Sequence, residues 1–246
     1  MNRIYWRFLW SHDLWLHRAL VRLYYRLARL IPFSVKYFIG RTFRKNRYPY
    51  RLVKEGAVVV QIGAPKDTLL AGRSRAMYFS LFAGTSGRVL IVEPDPESEA
   101  AFSQIMETHH QTNILLSQMA AWSQAQTLRI YVSDTHPATN FTEGSKQYDE
   151  ERLKDYRVVE LPADTLDSIV RLQGLERVDL VSITTNGAER EILAGMSGLI
   201  AAGLPFICLA RTGENYEDMM AELGYHLLAH DDRGFTFEQR PQLGTT

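Results

Sequence analysis

The chain has 246 residues and 46% hydrophobic content, enough for one sizeable α/β domain with a real core plus an appendage. Its 28 basic and 28 acidic residues cancel, yet residues 1–54 hold 13 of the Lys and Arg and a single acid, Asp13, which sets that segment near +12 and the remainder near −12. Such asymmetry points to an appendage that meets something anionic. The one cysteine, Cys208, excludes an intramolecular disulfide and fits a reducing, cytoplasmic setting.

Residues 3–31 have helical periodicity. Leu16, Leu20, Leu23, Leu27 and Leu30 fall on one stripe and Arg18, Arg22, Arg26 and Arg29 on another, with Trp6, Trp10 and Trp15 upstream beside Arg3 and Arg7. Pro32 should stop this helix. Charges at Arg7, Asp13, Arg18 and Arg22 exclude both a signal-peptide core and a spanning helix. Two readings stay open. The leucine stripe packs on the domain or on a second copy in a homo-oligomer, or the leucines and aromatics sink into the headgroup boundary of an anionic membrane while arginines meet lipid. The second reading would hold the protein peripherally on the cytoplasmic face. No recognised motif accompanies the charge to favour nucleic acid. Residues 32–56 are basic and aromatic without a clean period, and read as a connector with room for a short helix. The expected organisation is thus an arm over 1–54 and a domain over 55–246.

The domain opens with Ala57-Val58-Val59-Val60-Gln61-Ile62-Gly63-Ala64, and Gly87-Arg88-Val89-Leu90-Ile91-Val92-Glu93 follows. One β-branched run ending in Gly and another ending in an acid predict adjacent buried parallel strands joined by a helix over 73–82. Gly63 lets the backbone turn sharply and approach a ligand, and Glu93 stands where a carboxylate accepts from both ribose hydroxyls, which predicts an adenosine-containing ligand. Next come a helix over 97–109, a strand over 113–118, Met119-Ala120-Ala121-Trp122, an alternating strand over 128–133 and a polar, aperiodic loop over 134–156. A short strand at 158–162 leads to a helix capped by Asp164 or Thr165. A central strand over 178–183, the turn Thr184-Thr185-Asn186-Gly187 and a helix from Ala188 follow. The chain closes with a buried strand over 205–210 that holds Cys208, a helix over 214–223, and a hairpin of 225–229 and 235–237. His226, His230, Asp231 and Asp232 read as a solvated turn rather than a metal site, and His109 with His110 likewise, so no metal is expected.

Gln61-Ile62-Gly63-Ala64, Val92-Glu93-Pro94-Asp95-Pro96, Ala120-Ala121 and Asn186-Gly187-Ala188-Glu189, in this order and spacing, resemble the FkbM family of S-adenosylmethionine-dependent methyltransferases over about residues 55 to 240. The resemblance implies a Rossmann-like, doubly wound α/β sheet. It implies S-adenosyl-L-methionine as cofactor, held by Gln61, Gly63, Ala64, Gly72, Glu93 and Ala120. Relatives usually carry Asp at the Gln61 position and a second glycine where Asp67 stands; here Gly72 can open the helix instead, with residues 65–71 enlarging the loop. The later turn in the family reads Asp-Val-Glu-Gly-Ala-Glu, so Thr184 and Asn186 replace two carboxylates. Thr184, Asn186 and Glu189 are the implied acceptor-side residues, with Glu189 equally open to a first-turn, helix-dipole role. Thr and Asn orient a substrate but are not bases near neutral pH. The implied reaction is O-methylation of a hydroxyl on a sugar, a glycolipid, a lipid-linked acceptor or another small molecule. The alternative is a catalytically inactive methyltransferase-like binding module.

Overall fold

The computed structural model describes residues 30–133, 140–143, 153–154, 156–211 and 215–240. The leucine and arginine stripes of the arm, except for Leu30, and most of the 134–156 loop lie outside them.

Seven strands form the main sheet: β1 (Val58–Ile62), β2 (Arg88–Val92), β3 (Ile114–Ser117), β8 (Leu180–Ile183), β9 (Phe206–Ala210), β10 (Tyr225–His230) and β11 (Gly234–Gln239). Their order is β10-β11-β9-β8-β1-β2-β3. The strands β3, β2, β1, β8 and β9 run parallel, and β11 is inserted antiparallel between β9 and β10. The chain steps outward from β1 to β3 and then returns to the other side of β1 at β8, so the order reverses between β1 and β8. In such open sheets the ligand crevice lies beyond the carboxyl ends of the strands at that reversal. Helices cover both faces, and both faces are apolar: Val60, Ile62, Leu90, Val92, Val181 and Ile183 join one core, while Val59, Val89, Ile91, Leu180 and Cys208 join the other. Continuous Val, Ile and Leu runs follow from burial on both sides.

A second, four-stranded sheet departs from the single-sheet expectation. It holds β4 (Ala120–Trp122), β5 (Gln126–Val132), β6 (Phe141–Thr142) and β7 (Arg157–Thr165) in the order β4-β7-β5-β6. The strand expected over 158–162 therefore extends to nine residues. Thr165 ends it and caps the helix α5 (Leu166–Leu172), accepting from the Ser168 N–H.

The connector also differs. Residues Phe33–Arg44 form a full helix, α1, docked on the domain. Tyr37 is buried and donates to the carbonyl of Leu69 at 2.9 Å, and Lys36 donates to that of Leu70 at 2.5 Å. These carbonyls belong to α2 (Lys66–Leu70). The Arg44 guanidinium lies 4.2 Å from the Tyr78 ring centroid, on α3 (Arg75–Ala83). A Cβ at Gly40 would fall 1.8 Å from the Tyr78 hydroxyl oxygen, so the contact requires glycine. Residues 33–44 thus belong to the packed body rather than to a separate connector.

Candidate functional site

Gly63 follows β1 and Thr184 follows β8, so the two turns meet at the reversal of strand order. Gly63 has φ +78, and a Cβ there would lie 2.5 Å from the Thr184 carbonyl oxygen. Only glycine fits this left-handed close approach. Gln61, the penultimate residue of β1, is 1% exposed. Its amide Nε2 lies 2.8 Å from the Thr184 Oγ1, 2.9 Å from the Gly63 carbonyl and 2.9 Å from the Ile62 carbonyl. Thr184 in turn donates to the Gly63 carbonyl at 2.8 Å. Among the described residues the Gln61 Oε1 is buried with no hydrogen-bond partner. A buried acceptor left unpaired costs on the order of 1–3 kcal/mol.

Glu93, just after β2, accepts from the Ala64 N–H at 2.6 Å and the Asp95 N–H at 3.0 Å. Burial pushes its carboxyl up to about 7, opposed by those two N–H groups. Two carboxylate oxygens offer about four lone-pair sites, so two remain for a ligand. Asp95 caps the helix α4 (Pro96–Thr108), which fixes the Glu93-Pro94-Asp95 turn.

Two pockets meet along Gly63, Pro65, Thr184, Thr185 and Asn186. The smaller, about 90 Å³, lies on the Glu93 side, with Ala120, Ala121, Ile130, Phe141 and Ala188 as its apolar wall. Asn186 closes it by donating to the Asn140 carbonyl at 2.8 Å. The larger, about 350 Å³, is polar and includes Gln61, Ala64, Thr68, Ser74, Arg75, Arg211 and Arg233. Burial lowers the Arg233 pKa, and neighbouring Arg73 pushes it the same way, which makes this pocket receptive to an anion.

Of the candidate residues, Gln61, Gly63, Ala64, Glu93, Ala120, Thr184 and Asn186 line one pocket or the other. Two do not. Gly72 sits in a turn with φ +70 beside Lys36, and Ser74, not Gly72, caps α3 by accepting from the Met77 N–H. Glu189 is 1% exposed at the start of α6 (Glu189–Ala194) and accepts from the Thr185 hydroxyl at 2.9 Å and the Gly187 N–H at 3.0 Å. It braces the 184–187 turn from behind rather than facing the cleft.

The Asp231-Asp232 turn is likewise not simply solvated. Arg75 reaches Asp231 and Asp232 at 2.5 Å each and donates to the Ser182 hydroxyl at 3.2 Å. Asp231 has a fully buried side chain, and Tyr50 donates to Asp232 at 2.8 Å. Burial alone would lower the Arg75 pKa, but the two carboxylates outweigh it and raise it; Arg75 in turn holds Asp232 below the usual carboxylate range. Sequence reading missed this cluster because its members lie 156 and 157 residues apart. Among the described residues no three His, Cys, Asp or Glu side chains converge to hold a metal ion.

Residues 61–237 match the model of the methyltransferase FkbM domain. No curated protein matches the chain. Among solved structures, a methyltransferase FkbM from Methylobacillus flagellatus KT superposes with TM-score 0.51 at 13% identity, over 78% of this chain and 48% of that one. The chain thus spans about half the length of that protein. A fibrillarin from Aeropyrum pernix, crystallised with S-adenosyl-L-methionine, gives TM-score 0.42 at 15% identity over 76% of this chain and 66% of that one. The family match covers most of the chain, and the sheet order and cleft agree with it: the chain belongs to the FkbM family of S-adenosylmethionine-dependent methyltransferases.

Proposed function

We propose that the cleft transfers the methyl group of S-adenosylmethionine to a hydroxyl oxygen of a small-molecule acceptor such as a sugar or glycolipid. The observation that carries this reading is the convergence at one strand reversal of a cleft lined by the tightly packed Gly63 and Thr184 turns with a buried carboxylate, Glu93, that keeps lone pairs for a ligand. The residues present fit the cofactor. Arg211 and Arg233 suit an α-carboxylate, Glu93 suits ribose hydroxyls, and Ala120 and Ala121 leave room for adenine. The bound cofactor supplies a methyl group made electrophilic by its sulfonium.

This chain's residues supply position. Thr185 and Asn186 stand where the two pockets meet and orient an acceptor hydroxyl by hydrogen bonding. Neither titrates near neutral pH, so the hydroxyl proton would leave to solvent while the S–CH3 bond breaks, the O–CH3 bond forms and S-adenosylhomocysteine departs. Rate then comes mainly from holding the acceptor in line. Incubation with S-adenosylmethionine and a panel of hydroxylated acceptors should release S-adenosylhomocysteine, and Asn186→Ala should lower turnover more than cofactor affinity.

A second reading, a binding module without chemistry, is favoured by the structural bonds of Thr184 to Gly63 and of Asn186 to Asn140. Cofactor binding without turnover on any acceptor would select it. The basic charge of residues 1–54 supports one more element: peripheral attachment to an anionic membrane surface through residues 1–31, which would favour a lipid-linked acceptor. No helix among the described residues is long and apolar enough to cross a membrane.

A further inference from the structure

The helix α1 carries two apolar stripes, and one of them faces outward. Phe33, Tyr37, Gly40 and Arg44 turn toward the domain, whereas helical spacing puts Val35, Phe38, Ile39 and Phe43 on the opposite face. Phe38 is 73% exposed and Phe43 66%. With Leu30 and Ile31 they include most of the large hydrophobic side chains exposed among the described residues; the others are Val158 and Leu172. A surface helix ordinarily turns a polar face outward, so this stripe wants a cover.

Charge says what the cover is. Residues 30–54 contain seven Lys and Arg and no acid. Arg41, Lys45, Arg47, Arg51 and Lys54 have no carboxylate partner among the described residues. A second copy seated on this face through a two-fold axis would bring these cations against their own equivalents. An anionic lipid surface instead accepts both features at once, aromatic and aliphatic groups at the acyl boundary and cations at the phosphates.

We infer that α1 lies flat in the headgroup boundary of an anionic bilayer, with Val35, Phe38, Ile39 and Phe43 inserted and Arg41, Lys45, Arg47, Arg51 and Lys54 against lipid phosphates. This deepens the membrane element of the proposed function, moving the contact from residues 1–31 to a folded surface, and it does not depend on methyl transfer. The hydrogen bonds of Lys36 and Tyr37 to the carbonyls of Leu70 and Leu69 tie the helix to α2, whose Thr68 borders the larger pocket. A surface contact made through α1 is therefore connected through α2 to the cleft wall.

The test uses the full-length protein and vesicles of phosphatidylcholine with or without phosphatidylglycerol. The parent should sediment with the anionic vesicles, stay in solution with the neutral ones, and be released by high salt. Phe38→Glu combined with Phe43→Glu should weaken partition by at least about tenfold while the circular dichroism spectrum is kept, since both side chains are exposed. Phe38→Cys, labelled with an environment-sensitive fluorophore while the native Cys208 stays buried and unlabelled, should shift to the blue on anionic vesicles. Charge reversal of Arg18, Arg22, Arg26 and Arg29 in the full chain separates the two contacts. If that variant alone loses binding while the Phe38/Phe43 variant binds as the parent does, the arm holds the membrane and α1 does not. A parent that stays in solution with anionic vesicles, an unshifted label, or a parent dimer that the Phe38/Phe43 substitutions make monomeric would each overturn the inference.

Discussion

Two carboxylate regions of the molecule solve the same physical problem in opposite ways. Beyond β2, Glu93 is buried with backbone N–H donors and, among the described residues, no cation, and burial pushes its carboxyl up to about 7. In the turn between β10 and β11, Asp231 and Asp232 take the Arg75 guanidinium, which holds Asp232 below the usual carboxylate range. The second region is balanced from within the chain and is finished as a structural clamp between α3 and the terminal hairpin. The first leaves lone pairs and an electrostatic cost for a ligand to settle. A perturbed carboxylate is a candidate binding group where the described residues do not themselves supply the counterion.

The largest expected effect breaks the clamp. Arg75→Met strands the buried Asp231 without a counterion and should cost about 3–5 kcal/mol in urea unfolding, the range for removing one partner of a buried pair. A loss below about 1 kcal/mol would make the pair peripheral to stability. In the ligand region, Gly63→Val combines positive φ with a contact of 2.5 Å to the Thr184 carbonyl, and it should abolish S-adenosylhomocysteine binding. Glu93→Ala should weaken the same binding by about 1.5–3 kcal/mol, measured by calorimetry.

The two regions should also titrate with opposite sign. A folded carboxyl raised to about 7 keeps its proton longer than the unfolded one, so its contribution to stability is present at low pH and lost as pH rises through about 7. Asp232, held low by Arg75, contributes stability that is present above the ordinary carboxylate range and lost as pH falls. Thermal unfolding across pH should show Glu93→Gln flattening the limb near neutral pH and Asp232→Asn flattening the acid limb. The smallest effect is Ser74→Ala, which removes the cap of α3 at a cost of about 1 kcal/mol and leaves the clamp in place.

What the sequence made legible follows the range over which each feature is encoded. The parallel strands are carried by continuous apolar runs, and the Gly63 turn and Glu93 by their places at strand ends, so all were readable locally. Gly72 misled because a glycine before an apolar segment looks like a helix opening, whereas Ser74 holds the cap and Gly72 makes room for Lys36. The helix α1 was hidden because its outward apolar stripe overlays the inward one and blurs the period. Asp231 and Asp232 look like any solvated turn until Arg75, some 156 residues away in sequence, is brought beside them. The second sheet depends on pairing β4 and β5 with β7, a register that no local pattern specifies.

Calorimetry of S-adenosylhomocysteine binding to the folded parent and to Glu93→Gln, at pH values on either side of about 7, bears most directly on the claim that the cleft is a cofactor site whose open carboxylate is completed by the ligand. A ribose that prefers the ionised carboxyl lowers its pKa, so parent affinity should rise as pH increases through about 7, with proton release on binding, and the variant should bind more weakly with a flat profile. Absence of binding by the folded parent, or equal affinity and equal pH dependence in the variant, would contradict it.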